Sequence, residues 1–210
     1  QGTDNVTYTD NSFTIDETSD MSSMVIGESQ ATGAGKVTGN TISGGFSGVD
    51  IFNASNTNVV GNSISNCTYG VRVRDSDAVN NERTKNIIIN SNVLVNNNYH
   101  VDFTTTQDTL EKVVVNGNQF IYLTEAETKL AGKVIWNFTS PVLALRLPSN
   151  DGCIVTDNQF ISTVSAATRV SHMIDANSII ENNYGASYNL GITGRTIGAP
   201  PFVNSELSKL

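Results

Sequence analysis

The sequence predicts an all-β fold: a right-handed, single-stranded parallel β-helix, a solenoid of about six coils with irregular segments at both ends. Three observations predict it. A six-residue pattern returns six times at uneven intervals. A pair of apolar positions follows three of those copies at one fixed offset. Helical patterning is scarce in a chain with 26 asparagines, a residue weak in both helices and ordinary strands.

The pattern is an aliphatic residue, any residue, often a small or polar residue, Asn, any residue, then a large apolar one. It reads Val37-Thr38-Gly39-Asn40-Thr41-Ile42 and Val59-Val60-Gly61-Asn62-Ser63-Ile64. It returns as Ile89-Asn90-Ser91-Asn92-Val93-Leu94, Val115-Asn116-Gly117-Asn118-Gln119-Phe120 and Val155-Thr156-Asp157-Asn158-Gln159-Phe160. The last copy is Ile179-Ile180-Glu181-Asn182-Asn183-Tyr184, with Asn182 as its anchor. The anchors 40, 62, 92, 118, 158 and 182 are separated by 22, 30, 26, 40 and 24 residues. Variable gaps around a constant motif imply one constant corner per coil, with insertions elsewhere on the circuit. Asn suits that corner because it tolerates the left-handed backbone, and stacked amides bond from coil to coil.

Nine and eleven residues after an anchor come Val49 and Ile51, Val71 and Val73, and Val101 and Phe103. Period-two alternation inside a shared offset predicts a second core-facing strand. Asp50, Arg72 and Asp102 then point outward in one column. The fourth and fifth coils break the offset, so insertions are expected at 123–133 and 162–169. Their second strands resume near Val134-Ile135-Trp136 and at 170–174. Residues 123–130 alone read as a short helical excursion.

The expected domains are a cap or connecting segment over 1–35, the β-helix over 36–184, and an irregular segment over 185–210. A polar start without an initiator Met suggests a processed product or a piece of a longer protein. With 38% hydrophobic and 15% charged residues, the chain has enough apolar content for a core and too little charge for a disordered tail. A net charge of −8 speaks against nucleic acid as a partner. No apolar run is long enough for a membrane helix, so membrane insertion is not expected. Cys67 and Cys153 read as two buried free thiols, with one disulfide as the alternative. No cofactor is expected, and no zinc-type spacing appears.

The V-x-G-N-x-I corner, as in Val37 to Ile42 and Val59 to Ile64, resembles the right-handed parallel β-helix superfamily. That group contains pectate-lyase-like enzymes and the trimeric tailspikes of bacteriophages. The resemblance covers about residues 36–184. The Asn-Thr-Asp, Asp-pair and Gly-His-Gly signatures of polygalacturonases find no match, nor does the calcium-Asp and Arg constellation of pectate lyases. The low cysteine content, acidity and richness in Asn, Thr and Ser look most like a tailspike. The resemblance implies a homotrimer in the virion tail, or a secreted protein, that binds bacterial cell-surface polysaccharide and cleaves it in many members.

Candidate site residues follow. Asp50 and Asp102 lie two coils apart, about 9–10 Å between backbones, near the carboxyl spacing of inverting glycosidases. One acid would protonate the leaving oxygen and the other activate water, with Arg72 holding a sugar hydroxyl or carboxylate. The more ordinary reading of the same column is a surface charge ladder. Arg74 with Asp75 and Asp77, followed by Glu82 and Arg83, is a second candidate for a general acid, or else a solvated loop; the spacing is not that of an EF-hand. His100 is expected to face outward beside Asp102. Tyr99 and Trp136 offer aromatic faces for sugar rings, or ordinary packing. The rival functions are a polysaccharide lyase or epimerase of the pectate-lyase-like group, and a purely structural trimerisation segment.

Overall fold

The computed structural model describes residues 5–16, 19–27, 34–74, 84–104, 111–122, 143–150, 153–162, 169–174, 179–184 and 187–192. Among them every regular element is a strand, and the strands join into three sheets in which every pairing is parallel. The first sheet orders β1 (Asn5–Thr9), β4 (Ala34–Thr38), β7 (Thr57–Val60), β10 (Lys85–Asn90), β13 (Glu111–Asn116), β16 (Ile154–Thr156) and β19 (Ile179–Glu181). The second holds β2 (Ser12–Thr14), β5 (Thr41–Ser43), β8 (Ser63–Ser65), β11 (Val93–Val95), β14 (Gln119–Tyr122) and β17 (Gln159–Ser162). The third holds β3 (Met24–Ile26), β6 (Ser47–Phe52), β9 (Tyr69–Arg74), β12 (Tyr99–Thr104), β15 (Leu143–Asn150), β18 (Arg169–Ile174) and β20 (Ser187–Ile192). The chain visits the sheets in the same order again and again, an arrangement compatible with a β-solenoid.

The short strands exist because apolar residues alternate with polar ones and the alternate residues stack. In the second sheet Ile42, Ile64, Leu94, Phe120 and Phe160 are paired in succession and all are buried. In the first, Val37, Val59, Ile89, Val115 and Val155 do the same. In the third, Val49, Val71 and Val101 form one buried column and Ile51, Val73 and Phe103 the next, as the shared offset predicts. Each such side chain contributes about 1.5–3 kcal/mol by leaving water.

The corner between the first two sheets departs from the expectation in one respect. The left-handed residue is the one before the anchor: Asp10, Gly39, Gly61, Ser91, Gly117, Asp157 and Asn182 all have φ between 53° and 68°. The anchor itself serves through its side chain. Its Oδ1 accepts from both the backbone N–H and the Nδ2 of the preceding asparagine, at 2.9 and 3.0 Å for Asn62 receiving from Asn40. The same pair of bonds joins Asn62 to Asn92, Asn92 to Asn118, and Asn118 to Asn158. The remaining Nδ2 proton reaches a backbone carbonyl, as from Asn62 to Val37 at 3.0 Å. The amides are thus buried yet satisfied, as burial of polar groups demands.

This rule corrects the last anchor and supplies a new first one. Asn158 bonds to Asn183, because Asn182 occupies the left-handed position instead. At the other end Asn11 bonds to Asn40 by the same two hydrogen bonds, in a copy running from Tyr8 to Phe13. Residues 5–26, expected within a cap, therefore supply strands that pair with all three sheets. Likewise β20, inside the segment expected to be irregular, pairs with β18.

Among the described residues, the strand following β14 in the third sheet is β15 (Leu143–Asn150), which pairs with β12. The expected excursion at 123–130 and the stretch Val134-Ile135-Trp136 lie outside the described residues. β18 falls where its resumption was expected.

On each of the first two sheets the outward positions of one column change character along the molecule. In the second sheet they run Thr14, Ser43, Ser65, then Val95, Ile121 and Ile161. In the first they run Thr7, Lys36, Asn58, then Ile88, Val114, Ile154 and Ile179. Ile88, Ile161 and Ile179 are 37%, 39% and 47% exposed.

Candidate functional site

The third sheet brings most of the expected site residues together. Asp50 pairs with Arg72 and Arg72 with Asp102, so the three occupy one column on β6, β9 and β12. Their exposure differs from the expectation: Asp50 is 3% and Asp102 0% exposed. The ion pair also differs. Asp50 is held by Arg74, whose Nε donates to Oδ1 at 2.9 Å and whose Nη2 donates to Oδ2 at 2.9 Å. Two residues further along the strand, Arg74 remains on the outward face by period two, and its longer reach returns it over Asp50. Both oxygens of the Asp50 carboxylate are taken up by the guanidinium fork. The two acids therefore do not stand open on either side of a shared cleft.

Around the column lies a strip of rings that links three strands. Tyr69 and Tyr99 pair across β9 and β12 and stack with centroids 5.1 Å apart and 14° between planes. Phe46, just before β6, meets Tyr69 edge to face at 5.2 Å. The Arg72 guanidinium carbon lies 4.8 Å from the Tyr69 centroid and 5.4 Å from that of Phe46. Arg74 sits 4.1 Å over Phe52. All six of these side chains are half-buried. Cations over ring faces are attracted by the ring quadrupole, and the rings limit the rotamers open to them.

The sequence reading passed over Phe46, Phe52 and Tyr69. A signal for Tyr69 was present: it and Tyr99 each follow an anchor by seven residues, after Asn62 and Asn92. For the phenylalanines no periodic signal exists, since Phe46 lies in a bend and Phe52 at a strand end.

His100 faces inward, which corrects its expected outward position. It is fully buried, stacks on Phe120 at 5.6 Å and lies 4.2 Å from the Tyr122 ring. Its Nδ1 is 3.2 Å from the Asn97 amide nitrogen, which makes Nδ1 the acceptor. Burial lowers its pKa to about 3, against a smaller opposing effect of the Ile121 backbone. Burial, and then the nearby Tyr99, raise the pKa of Tyr122 well above the usual phenol value. The reason for the inward turn is a column of small residues. A Cβ at Gly70 would lie 2.6 Å from the His100 carbonyl oxygen and 2.7 Å from Leu94 Cδ2. His100 takes the next place in this column, where Phe120 and Tyr122 receive its ring.

Asp75, Asp77 and Trp136 lie outside the described residues. Cys67 and Cys153 are both buried thiols outside any disulfide. Among the described residues no group of three or more His, Cys, Asp or Glu is placed to hold a metal ion, and no helix is long and apolar enough to cross a membrane. What the assembled residues offer chemically is an aromatic surface with a guanidinium over it. No protein-family model, curated protein or solved structure matches this chain.

Proposed function

We propose that this chain is a right-handed parallel β-helix of the tailspike kind, a receptor-binding component of a virion tail that recognises a bacterial surface polysaccharide. The observation that carries the reading is the half-buried strip of Phe46, Tyr69, Tyr99 and Arg72 across three consecutive strands. Pyranose rings pack against aromatic surface, and a row of ring edges and hydroxyls spaced by about 4.8 Å per strand follows an extended polymer. The burial of Asp50 and Asp102 and the Asp50–Arg74 fork favour recognition over hydrolysis at this column.

The homotrimer implied by the resemblance also has surfaces suited to it. The apolar halves of the first and second sheets lie at the same level of the stack, on either side of the asparagine corner. Two different faces meeting in head-to-tail contacts close a ring when the rotation permits. Exposed apolar stripes of this kind mark interaction surfaces.

The test is incubation with a panel of capsular and O-antigen polysaccharides. Binding by wild type and its loss in Tyr99→Ala are expected, without new reducing ends. Reducing ends would indicate hydrolysis, and ultraviolet-absorbing products a lyase. Silence across the panel from a protein that sediments as a trimer would leave the structural segment as the reading.

A further inference from the structure

We propose that Arg72 is the receptor for a carboxylate substituent on the glycan, an inference that rests on the glycan-binding reading of the strip. The chain carries a net charge of −8, so most of its surface repels an anion. On the third sheet the layering is reversed. The acids Asp50 and Asp102 are 3% and 0% exposed, whereas Arg72 and Arg74 are only half-buried. At Asp50 an approaching ligand meets the Arg74 guanidinium first, with the carboxylate beneath it.

The two arginines are not equivalent. Arg74 is already engaged in two directions, by Asp50 and by the Phe52 ring. Arg72 forms no ion pair among the described residues, and its contacts are the rings of Tyr69 and Phe46. Its Nε is buried without a hydrogen-bond partner. With no acceptor supplied by the described residues, the guanidinium keeps its outer N–H donors for a ligand. The Tyr69 and Tyr99 stack beneath it is built before any ligand arrives, so little side-chain freedom remains to be lost on binding. A planar guanidinium matches a carboxylate in two parallel hydrogen bonds, which selects a carboxylate over a hydroxyl.

The test uses the full chain with polysialate and hyaluronan, each beside its own carboxyl-reduced, neutral form. Wild type is expected to bind at least one acidic polymer on the order of tenfold more tightly than its reduced counterpart. That preference should shrink as salt is raised. Arg72→Gln should abolish the preference. Arg72→Lys, which keeps the charge, should retain part of it, and the melting curves of both variants verify folding. Equal binding of acidic and reduced polymers by wild type, or a preference that survives Arg72→Gln, overturns the inference. If in that case Tyr99→Ala still abolishes binding, the glycan-binding reading stands without it. Binding of neither form overturns the inference, and the glycan-binding reading then falls only with silence across the full polysaccharide panel.

Discussion

A single side-chain amide carries several duties at each asparagine corner. Asn92 Oδ1 accepts from the Asn62 N–H and Nδ2 at 2.9 Å each, and its own Nδ2 reaches the Val59 carbonyl at 2.9 Å. Asn92→Ala removes the acceptor and strands two buried donors, so a loss of about 3–5 kcal/mol in urea unfolding is expected. Asn92→Asp keeps an acceptor but places a charge in the core and should be no better tolerated. His100 supplies a different signature. Its pKa is about 3 in the fold and about 6.5 unfolded, so between those values the unfolded chain binds a proton that the fold excludes. Stability is therefore fully present above about pH 6.5 and falls as pH drops toward 3. Urea unfolding at pH 7 and pH 5 should show wild type losing about 2 kcal/mol more than His100→Gln. The anchors at 40, 62, 92, 118 and 158 were legible because type, spacing and neighbours agree. The inward turn of His100 was not: counting by twos from Asp102 puts it outside, and only the crowding around Gly48 and Gly70 reveals the column it joins.

At the scale of the element, the corner depends on the residue before the anchor adopting the left-handed region. Gly61 has φ of 67°, and a Cβ there would meet nothing within 4 Å. Gly61→Val therefore costs backbone strain alone, about 1–2 kcal/mol, while Gly61→Asn should be nearly neutral. Gly48 is the opposite case: a Cβ there would lie 2.6 Å from Ile64 Cγ2 and 2.7 Å from the Gly70 carbonyl oxygen. Gly48→Ala should lower the melting temperature more than Gly61→Ala does, because backbone and a core side chain must both move. The sequence shows the corner as a motif, but it does not divide the labour within it. Adjacent asparagines such as Asn182 and Asn183 are interchangeable on paper, and only hydrogen-bond geometry assigns one to the bend and the other to the ladder. The copy around Asn11 escaped for a related reason: Tyr8 stands where the motif opens on an aliphatic residue, and both Tyr8 and Phe13 are only partly buried at the end of the stack.

At the scale of the whole molecule, repetition produces two products, a continuous core and long outward columns whose chemistry the sequence is free to vary. The third sheet uses that freedom for the aromatic and arginine strip, the other two for the shift of one column from polar to aliphatic residues. If the apolar halves are where copies meet, Ile88→Asp and Ile161→Asp should each lower the sedimenting mass to that of a monomer while leaving the circular dichroism of the strands unchanged. All of this requires that successive windings share one hydrogen-bonded ladder running in a single direction. The direct measurement is amide hydrogen exchange on asparagine-labelled protein, wild type against Asn92→Ala. The Asn62 backbone amide, which donates to Asn92 Oδ1, should be among the slowest to exchange in wild type and should lose protection most in the variant, while Asn118, whose own acceptor is Asn158, stays protected. An Asn62 amide that exchanges freely in wild type, or is unaffected by Asn92→Ala, would contradict the ladder and the stacked architecture with it.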